Sequence, residues 1–136
     1  MALLLILAVI AGGPSYTAPQ VQRSFHSQTG MRLVNVPSVT NTDLTAFETK
    51  PSTTARFGRF ELYVVRPAKV RSFAVALLGK VRPDSRGIYW ERDQNTGVTA
   101  ITRYGSNVFA NWFPPAGKHR LNPSWTRLDR VLRRLR

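Results

Sequence analysis

The sequence predicts an α+β fold: a small antiparallel four-stranded sheet in the order β-α-β-β-β-α, with two helices packed on one face. Three observations lead to it. Strand-like runs follow one another at short intervals between residues 87 and 113, which is typical of an antiparallel meander. Amphipathic segments lie on either side, at residues 67–79 and 122–136. In front of them, an apolar start and a long polar stretch predict an N-terminal membrane signal followed by a flexible tether.

The first predicted strand is RFELYVV, residues 59–65, because it is rich in β-branched and aromatic residues. Pro67 ends this strand and suits the first turn of a helix. The apolar residues that follow recur at the spacing of one helical face; they are Val70, Phe73, Ala74, Leu77 and Leu78. The alternative is a buried strand over FAVALL, which the scarcity of β-branched residues disfavours.

Three further strands are predicted over GIYWERD, GVTAITRY and NVFANWF, separated only by QNT and GS. PPAGKH, residues 114–119, forms a loop because its prolines lack the amide donors of a sheet. The closing helix starts with Asn122 as N-cap and Pro123 at the first helical position. Its apolar residues share an arc of about 120° and predict a core-facing stripe; they are Trp125, Leu128, Val131, Leu132 and Leu135.

Three segments organise the chain. Residues 1–18, beginning MALLLILAVIAGG, predict a signal peptide or membrane anchor, although no basic residue precedes the apolar run, which leaves open a start upstream of Met1. The alternative is a buried helix or strand. Residues 19–56 are rich in Ser, Thr and Pro and predict a polar linker. A short strand over MRLVNV, residues 31–36, and docking of DLTAF on the domain through Leu44 and Phe47 are left open. Residues 57–136 form the predicted basic domain, and residues 56–136 carry a net charge of +12 of the chain's +13.

Composition excludes several chemistries. With no cysteine, the chain forms no disulfide, thiolate zinc site or iron–sulfur cluster. Its two histidines, His26 and His119, are too few for a multi-histidine metal site, so no metal or cofactor is predicted. Glu91 and Asp93 share one face of a strand, as a paired-acid hydrolase would require, but neighbouring arginines explain them as ion pairs. The sequence therefore predicts a protein that is not an enzyme.

The candidate site is the arginine face of the last helix, Arg127, Arg130, Arg133 and Arg134. It predicts an exported or membrane-anchored domain, outside the cytoplasm, that binds an anionic lipid or wall polymer. The alternative is that these arginines only form the solvent-exposed side of a helix that packs on the core, with Asp129 paired to Arg133 one turn away. Aromatic residues interleaved with bases along the strands leave open a cytoplasmic nucleic-acid binder, and a protein-interaction module that makes no use of the charge is a third reading.

Overall fold

The computed structural model describes residues 13–93, 97–115 and 121–136, and these contain four α-helices and six strands. The helices are α1 (Ala18–Thr29), α2 (Pro51–Phe57), α3 (Val70–Leu78) and α4 (Pro123–Leu132), and a 3-10 turn (Pro67–Lys69) leads into α3. The strands are β1 (Val34–Asn35), β2 (Leu44–Glu48), β3 (Arg59–Val65), β4 (Tyr89–Asp93), β5 (Gly97–Tyr104) and β6 (Val108–Phe113). All strand pairs are antiparallel, in the order β1-β2-β3-β6-β5-β4.

The α+β class, the antiparallel sheet and the element order from β3 to α4 are confirmed. Strand β3 occupies the predicted residues, and α4 begins as predicted, because the Asn122 side chain accepts a hydrogen bond from the Trp125 amide at 3.0 Å. That bond satisfies one of the amides that a helix leaves without an internal partner. From β3 to α4, the residue types within each segment are therefore sufficient to predict where the helices and strands lie.

The sheet has six strands, so the prediction of four was wrong. The two additional strands come from the segment that was predicted to be a linker. Strand β2 pairs along the whole of its length with β3, with Phe47 opposite Leu62, and both side chains are buried. Strand β1 then adds two residues at the edge of the sheet, beside β2. Burial of Phe47 against the sheet stabilises this pairing although the surrounding sequence is polar.

Residues 19–56 are not a flexible tether. Helix α1 starts with a capping box, in which the Thr17 hydroxyl accepts from the Gln20 amide and the Gln20 side chain accepts from the Thr17 amide. Its Val21 and Phe25 are fully buried in the same core as Trp112. The segment folds because its few apolar residues are large and correctly spaced, even though its average composition is polar.

The helices occupy both faces of the sheet, whereas the sequence predicted two helices on one face. Helices α1, α2 and α4 form a layer over the face that carries Phe60, Leu62 and Trp112. Helix α3 lies on the other face, where Phe73 packs against Phe109. Side chains alternate between the faces of a strand, so Leu62 and Tyr63, or Phe109 and Ala110, point to opposite layers.

Residues 13–18 were predicted to belong to the signal or anchor, but they pack on the domain. The Asn107 side chain is fully buried; it accepts from the Tyr16 amide at 2.8 Å and donates to the Tyr16 carbonyl at 2.7 Å. The Ser106 amide donates to the Pro14 carbonyl at 2.9 Å. The apolar residues 1–12 lie outside the described part of the chain, and within that part no helix has the length and apolar character needed to span a membrane.

Candidate anion-binding surface

Helix α4 presents the four predicted arginines to solvent. Its buried stripe packs on the sheet, and the ring centroids of Trp125 and Trp112 lie 5.5 Å apart. The predicted segregation is confirmed, because Leu128, Leu132 and Leu135 are buried while Arg127, Arg130, Arg133 and Arg134 are exposed. Exposure alone does not separate arginines that hold the fold together from arginines that are available to a ligand, so the partners of each one matter.

Arg133 forms an ion pair with Asp129. Its Nε donates to Asp129 at 2.8 Å, as predicted, and the same carboxylate accepts from the Tyr104 hydroxyl at 2.6 Å. The hydrogen bond to Asp129, aided by its negative charge, raises the pKa of the Arg133 guanidinium. Burial, then the bond to Asp129, raises the pKa of the Tyr104 phenol. Arg133 therefore orders a network that ties α4 to β5.

Arg127 also has a structural partner. Its Nη1 donates to the Arg56 carbonyl at 3.1 Å, near the end of α2. Arg56 in turn reaches the Thr29 carbonyl at 3.5 Å, at the end of α1. These bonds satisfy carbonyls that the last turn of a helix leaves without an internal partner. Arg127 contributes to the attachment between α4 and α2.

Arg134 lines a groove of about 430 Å³ between α1 and the end of α4. Arg23 and Arg136 line the same groove, together with the side chains of Ser24, Ser27 and Gln28. Gln28 holds the two walls together because its amide donates to the carbonyls of Val131 at 3.0 Å and Arg134 at 3.2 Å. Three guanidinium groups and two hydroxyls around one groove suit a phosphate or carboxylate, since arginine can bind such groups with two hydrogen bonds.

A second groove, of about 450 Å³, continues along α1 from the first and shares Arg23 with it. Arg32 and Lys50 line it, and so does His26, whose ring is exposed on α1. We call the set Arg23, Arg32, Lys50, Arg134 and Arg136 the α1 cationic strip. Among the described residues that line the two grooves there is no Asp or Glu. The strip therefore offers a continuous positive surface to an elongated anion.

Four members of the strip were not predicted. Arg23, Arg32 and Lys50 lie in the predicted linker, and Arg136 was not counted in the predicted arginine face. The signal that would have found Arg23 is local: Thr17 and Gln20 have the spacing of a capping box, and Val21 and Phe25 are one helical turn apart. The pairing of α1 with the last turn of α4 has no local signal. Arg130, the fourth predicted arginine, is exposed on α4 and lines neither groove.

The carboxylates are distributed differently from the bases. The helices of the layer and the residues that follow α4 contain seven arginines and one acid, Asp129. Elsewhere, Asp84 accepts from the amides of Arg86 and Ile88 and from Trp90 Nε1. Burial alone raises the pKa of Asp84, but these hydrogen bonds and the one from the Arg86 side chain outweigh it and lower the pKa to about 2. Asp84 thus organises the turn before β4, and it lines neither groove.

Only some of the acidic and histidine side chains considered for catalysis or metal binding lie among the described residues. Glu91 is exposed on β4. The side chain of Asp93 and the whole of His119 lie outside the described part of the chain. Glu61 accepts a hydrogen bond from the Tyr63 hydroxyl, and burial followed by this bond raises the pKa of Tyr63. Within the described ranges, no three histidine, aspartate or glutamate side chains are close enough to hold a metal ion. Comparison of the chain with protein-family models, curated proteins and solved structures gives no match.

Proposed function

We propose that this protein is a non-enzymatic, exported or membrane-anchored domain that binds an anionic polymer of the cell envelope along the α1 cationic strip. The observation that carries the proposal is the continuity of the two grooves through Arg23, with five bases and no acid among their described lining residues. A linear polyanion can occupy both grooves at once, which a single small anion cannot do. The envelope location rests on the apolar residues 1–12, which have the length of a signal-peptide core.

Charge attraction would supply most of the binding energy. The strip is exposed, so its attraction for a polyanion weakens as salt shortens the distance over which charges act, to about 8 Å at physiological ionic strength. Arginine heads in a groove also form hydrogen bonds that persist at higher salt. We therefore expect binding that falls steeply with salt and retains a residual, geometry-dependent part.

Binding of single-stranded nucleic acid in the cytoplasm is the second candidate, since phosphates would suit the same arginines. Such proteins stack bases on aromatic rings. Here Phe109 and Trp112 are fully buried, and neither groove is lined by Phe, Tyr or Trp among the described residues. This arrangement favours a polymer whose repeating unit carries charge without a base.

The test compares two double variants of the full chain with equal net charge. Arg23→Gln with Arg134→Gln removes the centre of the strip, and Arg92→Gln with Arg130→Gln removes two exposed bases that line neither groove. The probe is poly(glycerol phosphate), titrated by calorimetry at several salt concentrations. At about fivefold per base, the strip variant should bind roughly 25-fold more weakly, and the control should change less than about twofold. Equal losses would show that only overall charge matters and would overturn the proposal.

A matched titration with a thymidine oligonucleotide separates the two candidates. The proposal expects the polymer to bind more tightly than an oligonucleotide of equal charge. Tighter binding of the oligonucleotide, with the same dependence on Arg23 and Arg134, would replace the proposal with the nucleic-acid candidate. Binding of either polymer that hardly changes with salt would exclude both. Near-ultraviolet circular dichroism of each variant establishes that the fold is intact.

A further inference from the structure

Helix α3 differs from the other three α-helices of the described residues, each of which has buried residues. It lies on the sheet face opposite to α1, α2 and α4, held by Phe73, whose ring centroid is 5.1 Å from that of Phe109 and 5.5 Å from that of Tyr63. None of its residues is buried, and Val75 is 66% exposed. The helix is therefore attached to the sheet through the ring of Phe73, and its Val75 side faces solvent.

The composition of α3 does not suit a helix that faces water. All of its residues except Arg71 and Ser72 are apolar, and Phe73, Leu77 and Leu78 are only half-buried. A helix that is apolar around most of its circumference is normally covered by protein or by lipid. Exposed apolar surface of this kind commonly marks a contact site.

Basic residues surround this apolar helix. Residues 66–82 contain five bases and no acid. Lys69 and Arg71 lie at its start and Lys80 follows its end, all exposed, and Arg66 and Arg82 lie further out. One acid, Asp43, lines a small groove with Lys69. Apolar residues between exposed cations form the pattern of a helix that lies in the headgroup region of a bilayer.

The start of α3 also lies near the point where the N-terminal segment leaves the domain. Tyr16, which follows the apolar segment closely, lines one groove with Arg66 and Pro67, the residues that lead into α3. A membrane that received the N-terminal segment would therefore be close to the first turn of α3. This second observation is independent of the composition of the helix.

We infer that α3 and its flanking bases seat this face of the domain on an anionic lipid bilayer, with Val75 and the neighbouring apolar residues at the depth of the headgroups. A second copy of the chain is a poorer occupant, because a twofold contact would place the two sets of cations against each other. The uncharged residues 1–12 would make no use of the cations. The inference concerns the face opposite to the α1 cationic strip and does not require polymer binding there.

The test uses the full chain, which contains no cysteine, so that a single introduced thiol can be labelled. Val75→Cys and Arg130→Cys each receive an environment-sensitive fluorophore, and both positions are exposed, on α3 and α4 respectively. The probes are vesicles of phosphatidylcholine, with or without phosphatidylglycerol and with or without a nitroxide-bearing lipid. Because residues 1–12 are present in both labelled proteins, membrane binding through them affects both equally.

With phosphatidylglycerol vesicles, the label at residue 75 should shift to the blue and be quenched by the nitroxide, while the label at residue 130 should keep its emission in water. Lys69→Gln with Lys80→Gln should weaken the response at residue 75 roughly 25-fold, at about fivefold per base. A water-like label at residue 75 on vesicle-bound protein would overturn the inference. So would equal responses at the two positions, or no binding to vesicles. Polymer binding by the same samples is measured separately, so either proposal can fail alone.

Discussion

Gly58 lies where an added methyl group has no room. Its backbone angles, φ 73° and ψ −178°, belong to a region that is essentially restricted to glycine. A Cβ at this position would lie 2.8 Å from Nε1 of Trp112, which is fully buried. Because Trp112 also packs against Trp125 of α4, its ring has little freedom to move away.

The expected cost of Gly58→Ala has two parts. The backbone conformation costs roughly 1–3 kcal/mol for a residue with a side chain, and overpacking of a filled core costs about as much again. We expect the free energy of unfolding to fall by about 4 kcal/mol, a large share of the stability of a domain of this size. Urea unfolding followed by tryptophan fluorescence measures it, since Trp112 and Trp125 lie in the core.

Gly30→Ala is the matched control. Gly30 has a similar φ of 72°, with ψ −1°, but a Cβ there would meet no atom within 4 Å. Only the cost of the left-handed backbone remains, about 1–2 kcal/mol. The two variants should therefore differ by roughly 2–3 kcal/mol. A difference below about 1 kcal/mol would refute the close approach of Gly58 to the Trp112 ring.

Asn107→Ala should lower the free energy of unfolding by about 3 kcal/mol, because it leaves buried groups of Tyr16 and Val65 without their partner. Limited proteolysis should also cut residues 13–17 faster, and unchanged cleavage would contradict the attachment of this segment. In alkaline solution, Tyr63 and Tyr104 should ionise above the ordinary pKa of a phenol, because burial followed by a hydrogen-bonded carboxylate raises the pKa of each. Their folded-state pKa exceeds the unfolded value, so the stability they contribute is complete below about pH 10 and declines as pH rises further. Ultraviolet absorbance of the phenolate measures these ionisations. Tyr104→Phe should remove one of the two groups with a raised pKa. Ionisation of both Tyr63 and Tyr104 near the ordinary pKa of a phenol would contradict the prediction.

The half of the chain from β3 onward could be predicted because its signals are local. Strand β3 is marked by its β-branched and aromatic residues, and α4 by Asn122, Pro123 and a regular apolar stripe. The first half could not be, since its fold depends on a few residues such as Phe25 and Phe47 finding partners far along the chain. Average composition conceals such residues, because a short segment needs only two or three large side chains to dock.

The sequence around α3 did not indicate on which face of the sheet this helix would lie. The spacing of its apolar residues predicts a helix, and the helix is confirmed, but spacing does not say which side of the sheet receives it. For the candidate site, the sequence identified exposed arginines on α4. Their division into Arg133 and Arg127, which hold the fold, and Arg134, which lines a groove, depends on contacts with α1, α2 and β5.

The attachment of residues 14–16 bears on how the two proposed surfaces would work together. A flexible tether would let the domain turn freely, and either face could then meet a membrane. Instead, the Pro14 and Tyr16 backbone is hydrogen-bonded to Ser106 and Asn107 at the turn between β5 and β6. With residues 1–12 in the bilayer, as proposed, this turn would stay close to the membrane and the domain could rotate only within narrow limits. Since the sheet separates α3 from the α1 cationic strip, lipid contact through α3 would direct the strip away from the bilayer, toward polymers of the surrounding envelope.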